Sequence, residues 1–283
     1  MQHSIDSVYP EGTSSVPRTV PPTERHPVVL YRDSALLIID KPYGYLVHPH
    51  YLDKESPVCL SEIKRRLGLK IHTVHRLDRA TSGILLTALD SESARSLGIQ
   101  FQERLVEKYY LAIVRGHVTE PQDITIPLEK KEKGEVEEAK STVYPLSTSV
   151  VPEKIGRYEE SWFSFVKIKL ETGRTHQARR HMHRVNNPII GDKKHGDRQH
   201  NFWAWNRYNE RYMFLRAYEL SFIHPDSHEQ IHICAGIPPF WQYVLQDIGL
   251  TVPEGIPLSP VIQRGGNLIE PTPREDLQKA EES

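Results

Sequence analysis

Residues 74–89 read VHRLDRATSGILLTAL. The stretch crowds His75, Arg76, Asp78 and Arg79 together, turns through Thr81, Ser82 and Gly83, and then runs apolar from Ile84 to Leu89. An apolar run of that length behind a glycine predicts a buried strand. The polar cluster therefore sits at the mouth of a strand, beside the core. Asp78 lies between two arginines, and cationic neighbours favour an ionised carboxylate. Such a carboxylate at a strand end can act as nucleophile or base. A structural ion pair at the strand start accounts for the same residues equally well.

The flanking sequence predicts the rest of the fold. Val28–Tyr31 and Leu36–Asp40 read as two strands joined by a polar turn, after which Pro42 and Gly44 break the pattern. Ser61–Leu67 suits a short helix ended by Gly68, and Ser91–Arg104 a longer one with Ser91 as its N-cap. Tyr109–Val114, Phe163–Leu170 and Tyr212–Phe222 read as strands, and Phe240–Ile248 as a helix. In the second of these strands Val166, Ile168 and Leu170 share one face and Lys167 and Lys169 the other. Thr175–Arg184 is polar without breakers and is read as a helix capped by Thr175. The charged segment Glu129–Lys140 is read as an exposed hairpin or loop. Strands and helices mix without a βαβ rhythm, so the expected class is α+β with a mixed, mainly antiparallel sheet. Residues 1–25, rich in Pro, Ser and Thr, are expected to be a flexible leader, 26–250 the folded domain, and 251–283 a flexible tail.

Composition narrows the function classes. No apolar run approaches the ~18 residues that a membrane span requires. The first residues lack the order of a signal peptide, and the two cysteines are far apart in sequence, which fits a reduced, cytoplasmic protein. Net charge is −1, so the chain as a whole does not advertise a polyanionic partner. Locally, Arg174–Arg216 carries ten Lys and Arg residues against Asp192, Asp197 and Glu210. That imbalance suits phosphate neutralisation or a solvated charged face.

Two further segments stand out. Glu107–Gly116 (EKYYLAIVRG) brings Tyr109 and Tyr110 into a strand, either as packing or as a platform for a nucleobase. Leu170–His183 (LETGRTHQARRHMH) projects Arg174, Arg179 and Arg180 from a turn and a helix. The spacing of His176, His181 and His183 matches no common zinc pattern, and no metal is expected. Pro188–Gly196 is a Gly-punctuated loop whose Lys193 and Lys194 suit phosphate contact.

Together, and in this order, the segments resemble the RluA-type pseudouridine synthases. The His-Arg-Leu-Asp and Thr-Ser-Gly motif matches His75–Asp78 and Thr81–Gly83. The Lys-x-Tyr motif matches Lys108–Tyr110, and Gly-Arg-Thr-His-Gln-x-Arg matches Gly173–Arg179. Pro-Ile-x-Gly-Asp matches Pro188–Asp192, and Lys-Pro-x-Gly with a later Val-His matches Lys41, Pro42, Gly44, Val47 and His48. Within the family the chain is most similar to the branch that acts on tRNA, through Tyr45–His48, Leu52-Asp53 and Gly191–Asp197. The resemblance spans roughly residues 28–248. Two positions depart from it: Ala178 stands where the family has Ile or Leu, predicting looser packing behind Arg179, and Asn187 stands where His is frequent.

The resemblance implies a two-halved sheet with flanking helices and a central catalytic cleft. It implies a cofactor-free isomerisation of a uridine in RNA, expected in the T-arm stem of tRNA, performed by a monomer. Asp78, Tyr110 and Arg179 would be catalytic. Arg76, Arg79, Arg174, His176, Gln177, Arg180, Lys193 and Lys194 would contact RNA. The same reaction on large-subunit rRNA and a catalytically idle RNA-binding protein are the alternatives. An Asp/His hydrolase is disfavoured, because no Gly-x-Ser-x-Gly elbow is present.

Overall fold

The computed structural model describes residues 20–21, 24–130 and 134–271. Most of the expected leader and the end of the expected tail lie outside the described residues.

The first hairpin forms as the alternation predicts, from β1 (Val28–Arg32) and β2 (Leu36–Lys41), which pair antiparallel. Asp33 closes its turn by accepting hydrogen bonds from the backbone of Ala35 and Leu36. Helix α1 (Cys59–Leu67) buries Cys59, Leu60, Ile63 and Leu67 along one stripe and stops at Gly68, whose φ of 64° supplies the left-handed cap. The short β3 (His72–Thr73) leads into the His75–Arg79 loop and then β4 (Ser82–Ala88), buried at every position. Helix α2 (Ser91–Gln102) follows. Its N-cap is Asp90 and not Ser91, and the Asp90 carboxylate accepts from the backbone N–H of Glu92 and Ser93.

The second half is built on β5 (Glu107–Arg115), β9 (Ser141–Val151) and β10 (Ser161–Leu170), with β6 (Gln122–Ile124) at its edge. β7 (Leu128–Glu129) and β8 (Val136–Glu137) form the separate hairpin expected over 129–140. Helices α3 (Gln177–Arg184), α4 (Arg198–Tyr208) and α5 (Pro239–Asp247) flank the sheet with β11 (Leu215–Ile223) and β12 (Gln230–Cys234) between them. The class is the expected mixed α+β.

β11 joins the halves. It pairs antiparallel with β5 and β12, and parallel with β4 through Arg216–Ser82 and Ala217–Gly83. Gly83 is required at this crossing: its φ is 104°, and a Cβ there would lie 2.1 Å from the Ala217 carbonyl oxygen. On the other side of Ala217 lies Tyr110, so Gly83, Ala217 and Tyr110 form one row across three strands. The row carries the end of the His75–Thr81 loop to the tyrosine strand. Arg216, 2 % exposed, fastens the seam by donating to both Asp40 oxygens at 3.0 and 2.7 Å and to the carbonyls of Ala235 and Gly236.

Both expected domain edges move. Val20 is buried in the core, Glu24 accepts from the Phe240 backbone, and Arg25 pairs with Glu210, so the end of the expected leader is docked. In the expected tail, β13 (Val261–Arg264) pairs with β12 and β14 (Asn267–Ile269) pairs with β13, extending the sheet. β13 buries Ile262, and Val252, Ile256, Val261 and Ile269 pack against the core beside it, which anchors the segment.

Candidate active site

A cleft of about 480 Å³ opens where the two halves meet. His75–Asp78 line it from one half, and Lys108, Tyr110 and the Thr172–Arg179 turn from the other. The three motif segments thus converge on one cavity, although more than a hundred residues separate the first from the last.

The Asp78 loop is fixed from below. Thr81 N donates to Asp78 O at 3.0 Å, closing a turn, and the Arg79 carbonyl accepts from Gly44 N at 2.9 Å and from Lys41 Nζ at 3.3 Å. Lys41 is fully buried and also donates to the carbonyls of Pro42 and Tyr45. Burial pushes its pKa down to about 7. The Lys-Pro-x-Gly turn is therefore a clamp on the Asp78 loop. His75 supports the loop from behind. Its Nε2 accepts from Leu86 N at 2.9 Å, its ring stacks on Phe101, and burial pushes its pKa down to about 3, so it is neutral.

Asp78 remains partly open to solvent, with 26 % side-chain exposure, and its Oδ2 accepts from Arg179 Nη1 at 2.9 Å. The other edge of the same guanidinium donates to both oxygens of Asp192, at 2.7 and 2.8 Å. Asp192 is buried, yet its pKa lies below the usual carboxylate value. Desolvation opposes ionisation but is outweighed by Arg179 and by the backbone N–H groups of His195 and Lys194. Arg179 is thus held by the buried Asp192 carboxylate and presents an Nη1 N–H to the more open one of Asp78. A forked guanidinium has the geometry for this, and a lysine does not. Sequence reasoning gave Asp192 no role. The signal was present in the Gly-Asp of the Pro-Ile-x-Gly-Asp motif, because a buried arginine requires a buried acid.

Tyr110 faces the same cavity. Burial and then the charge of Asp78 raise its pKa well above that of an ordinary phenol, so the hydroxyl is protonated at neutral pH. His176, in a left-handed conformation at φ 54°, places Nε2 3.7 Å from Asp78 Oδ2 and Nδ1 3.1 Å from His195 Nε2. Burial is the main cause lowering the His195 pKa to about 4.

The other expected contacts divide. Arg76 is exposed on the cleft wall. Arg174 lines the cleft but is braced by Glu137 and the Glu138 carbonyl. Arg79 turns away to Ser56 and Asp53, and Arg180 to the Glu129 carbonyl. Lys193 and Lys194 are exposed on the loop after Asp192, outside the cleft lining. Gln177 reaches the cleft lining, but its side-chain amide is engaged within the protein. It is 2 % exposed, its Oε1 accepts from Thr172 Oγ1 and Arg174 N, and its Nε2 donates to the Lys140 carbonyl and Ser141 Oγ. These bonds close the turn that Thr175 was expected to cap. The basic stretch is also less available than its composition suggests, since Arg179, Arg207 and Arg216 are all committed to internal carboxylates. His181 bonds to Ser141 and the Ile126 carbonyl, so the three histidines of this segment do not converge.

Known proteins share this chain's sequence and fold. The RNA pseudouridylate synthase family model matches residues 35–184. The tRNA pseudouridine synthase C of Yersinia pestis is 37 % identical over 232 residues, covering 78 % of this chain and 90 % of its own. That of Haemophilus influenzae is 37 % identical over 232 residues and is covered to 97 %. Among solved structures, human RNA Pseudouridylate Synthase Domain Containing 1 superposes with a TM-score of 0.62 at 22 % identity, over 83 % of this chain and 99 % of that one, which establishes a shared fold. With the motifs, the cleft and these relatives in agreement, the chain belongs to the RluA-type RNA pseudouridine synthase family and is an RNA-modifying isomerase.

Proposed function

We propose that this enzyme converts one uridine in the T-arm stem of tRNA to pseudouridine, with Asp78 as the reacting group. The observation that carries the reading is the Asp78 carboxylate, open to the cleft and oriented by Arg179 at 2.9 Å. The tRNA substrate rests on the names of the relatives, which are tRNA pseudouridine synthases, at 37 % identity.

A uridine stacked in an RNA stem cannot reach the cleft floor. It must be extruded, at a cost of a few kcal/mol, and Arg76 on the cleft wall is placed to fill the vacated space. The flipped uracil lies against Tyr110. The bond between N1 and C1′ breaks as the Asp78 carboxylate either bonds to C1′ or takes the adjacent C2′ proton. The uracil turns, and as the bond from C5 to C1′ forms, the Asp78–C1′ bond breaks or the proton returns to C2′, which frees Asp78. C5 then loses a proton and N1 gains one, so the reaction is balanced without any other reactant. Tyr110 enters this step as a neutral phenol and so acts as a relay: its hydroxyl oxygen takes the proton leaving C5 as its own proton passes to N1. Arg179 holds Asp78 and does not itself transfer a proton. Arg174 and His176 line this path, and Arg180, Lys193 and Lys194, outside the cleft lining, meet the RNA backbone beyond it. Such contacts fix orientation, while RNA shape supplies selectivity.

The test is turnover on separate RNAs. Purified enzyme is given unmodified tRNA, a T-arm minihelix and a large-subunit rRNA transcript, and pseudouridine is located by carbodiimide-dependent stops. A single new site in the T-arm stem of both tRNA substrates is expected. Modification confined to the rRNA would discard the tRNA assignment and retain the chemistry.

A further inference from the structure

The cleft does not account for one feature of the surface. Tyr51 and Leu52 are the most exposed large hydrophobic residues among those described, at 78 % and 74 %. They are neighbours at the tip of the loop between β2 and α1. An isolated exposed apolar residue requires no explanation, but an adjacent pair held outward on a rigid turn does.

The turn is built. His50 and Asp53 form a bridge, with Asp53 N donating to the His50 carbonyl at 3.0 Å. Leu52 N donates to His50 Nδ1 at 3.3 Å, and the His50 ring stacks on Tyr51 at 5.0 Å and 24°. Asp53 takes two bonds from Ser56, and Ser56 Oγ in turn accepts from Arg79 Nη1 at 2.7 Å. Arg79 Nη1 also lies 3.5 Å from Asp53. At the other root, His48 bonds to Thr73 and feels the charges of Lys64 and Arg76. One root of the loop therefore rests against Arg79, next to Asp78, and the other against Thr73, within the field of Arg76.

We propose that the Tyr51–Leu52 tip is a substrate-docking element, on which an unpaired base of the RNA next to the target uridine stacks. This rests on the enzyme acting on RNA as set out above. His50 occupies one face of the Tyr51 ring, and the high exposure leaves the other free, so a base laid there continues a stack already begun. The ring is held by the His50 stack and the turn behind it, so docking costs little further ordering. Leu52 beside it supplies an apolar edge against the displaced stem. The occupant is RNA because one root of the loop is tied through Ser56 to Arg79, the neighbour of Asp78, and His48 at the other root lies in the field of Lys64 and of Arg76 on the cleft wall. Stacking on an aromatic ring tolerates any base, so the tip reads the presence of an unstacked base, not its identity.

The test compares Tyr51→Ala, Tyr51→Phe and Leu52→Ser with the unaltered enzyme, on whichever RNA that enzyme is found to modify. RNA affinity, kcat, KM and the urea midpoint are measured for each. Tyr51→Ala is expected to weaken affinity and raise KM by about 10-fold or more, the scale of one lost base–aromatic stack, with kcat at saturation and the urea midpoint unchanged. Tyr51→Phe should restore both values. RNA bearing 4-thiouridine beside the target should cross-link to the tip. Tyr51→Ala within about twofold of the unaltered enzyme in affinity and KM would overturn the proposal, as would an equal loss in Tyr51→Phe. Because the unaltered enzyme is measured in parallel, its own failure to modify tRNA would fall on the tRNA assignment and not on the tip.

Discussion

Replacing Arg179 by Ala removes one guanidinium from two carboxylates that experience it differently. Asp78 is 26 % exposed and can recruit water, whereas Asp192 is fully buried at 0 % and loses two charge-assisted bonds at 2.7 and 2.8 Å. The stability loss is therefore dominated by Asp192. Leaving one member of a buried ion pair without its partner costs ~3–5 kcal/mol. The pH dependence separates this cause from lost packing. In the unaltered protein Asp192 has a depressed pKa, so its contribution is present above the ordinary carboxylate value and lost only as pH falls through the folded value. Without Arg179 the buried carboxyl favours protonation, its pKa rises, and the penalty grows as pH climbs from ~4 to neutrality. Urea unfolding of both proteins at pH 7 and near pH 5 measures this, and the difference between them should narrow on the acid side. A loss below ~1 kcal/mol, or one independent of pH, would refute the reasoning. Arg179→Lys keeps the charge but cannot fork, so kcat should fall while RNA affinity changes little.

Tyr110→Phe keeps the ring against the flipped base and removes the hydroxyl. Turnover should fall by about 10²-fold or more while RNA affinity holds, as measured by single-turnover kinetics beside filter binding. Gly83→Ala puts a methyl 2.1 Å from the Ala217 oxygen at a φ of 104°, so the seam between the halves must part. A loss of several kcal/mol or failure to fold is expected in thermal melts, on the scale of strain plus overpacking. His75 is neutral in the fold, with its pKa lowered to about 3, and titrates at its ordinary value when unfolded. Stability should therefore decline as pH falls below ~6.5, and the urea midpoint of His75→Gln should decline less steeply over that range.

The residues that meet in the cleft were more legible in the sequence than those that support them. Asp78, Tyr110 and Arg179 could be chosen because motif order is preserved when distant segments meet. Their partners were harder to find: the Pro-Ile-x-Gly-Asp motif offers Asp192 as an acid without saying which cation it meets, and nothing along the chain pairs Arg216 with Asp40 before the strands are registered. For the same reason Gln177 read as an RNA contact: a polar residue inside a basic motif looks exposed until the turn closes around it. Strand β9 carries Pro145 and serines without clear alternation, which hid it. Helix α4 escaped because its apolar and polar residues follow no stripe, although Asp197 accepting from Gln199 N and His200 N is an N-cap that could have marked its start. Strands β13 and β14 were lost in a stretch whose prolines and paired glycines read as tail. The leader was misjudged at its inner end because Val20 and Glu24 gain their meaning only from the core they dock on.

The most direct test of the central claim is a comparison of the unaltered enzyme with Asp78→Asn on RNA from cells lacking the gene. Pseudouridine formation and RNA affinity are measured on the same preparations. The exchange removes a charge but almost no contact surface. New pseudouridine is expected with the unaltered enzyme and none with Asp78→Asn, while the two bind RNA within a few-fold of each other. Turnover that survives in Asp78→Asn, or an affinity that collapses with the activity, would show that Asp78 holds the cleft together and does not perform its chemistry.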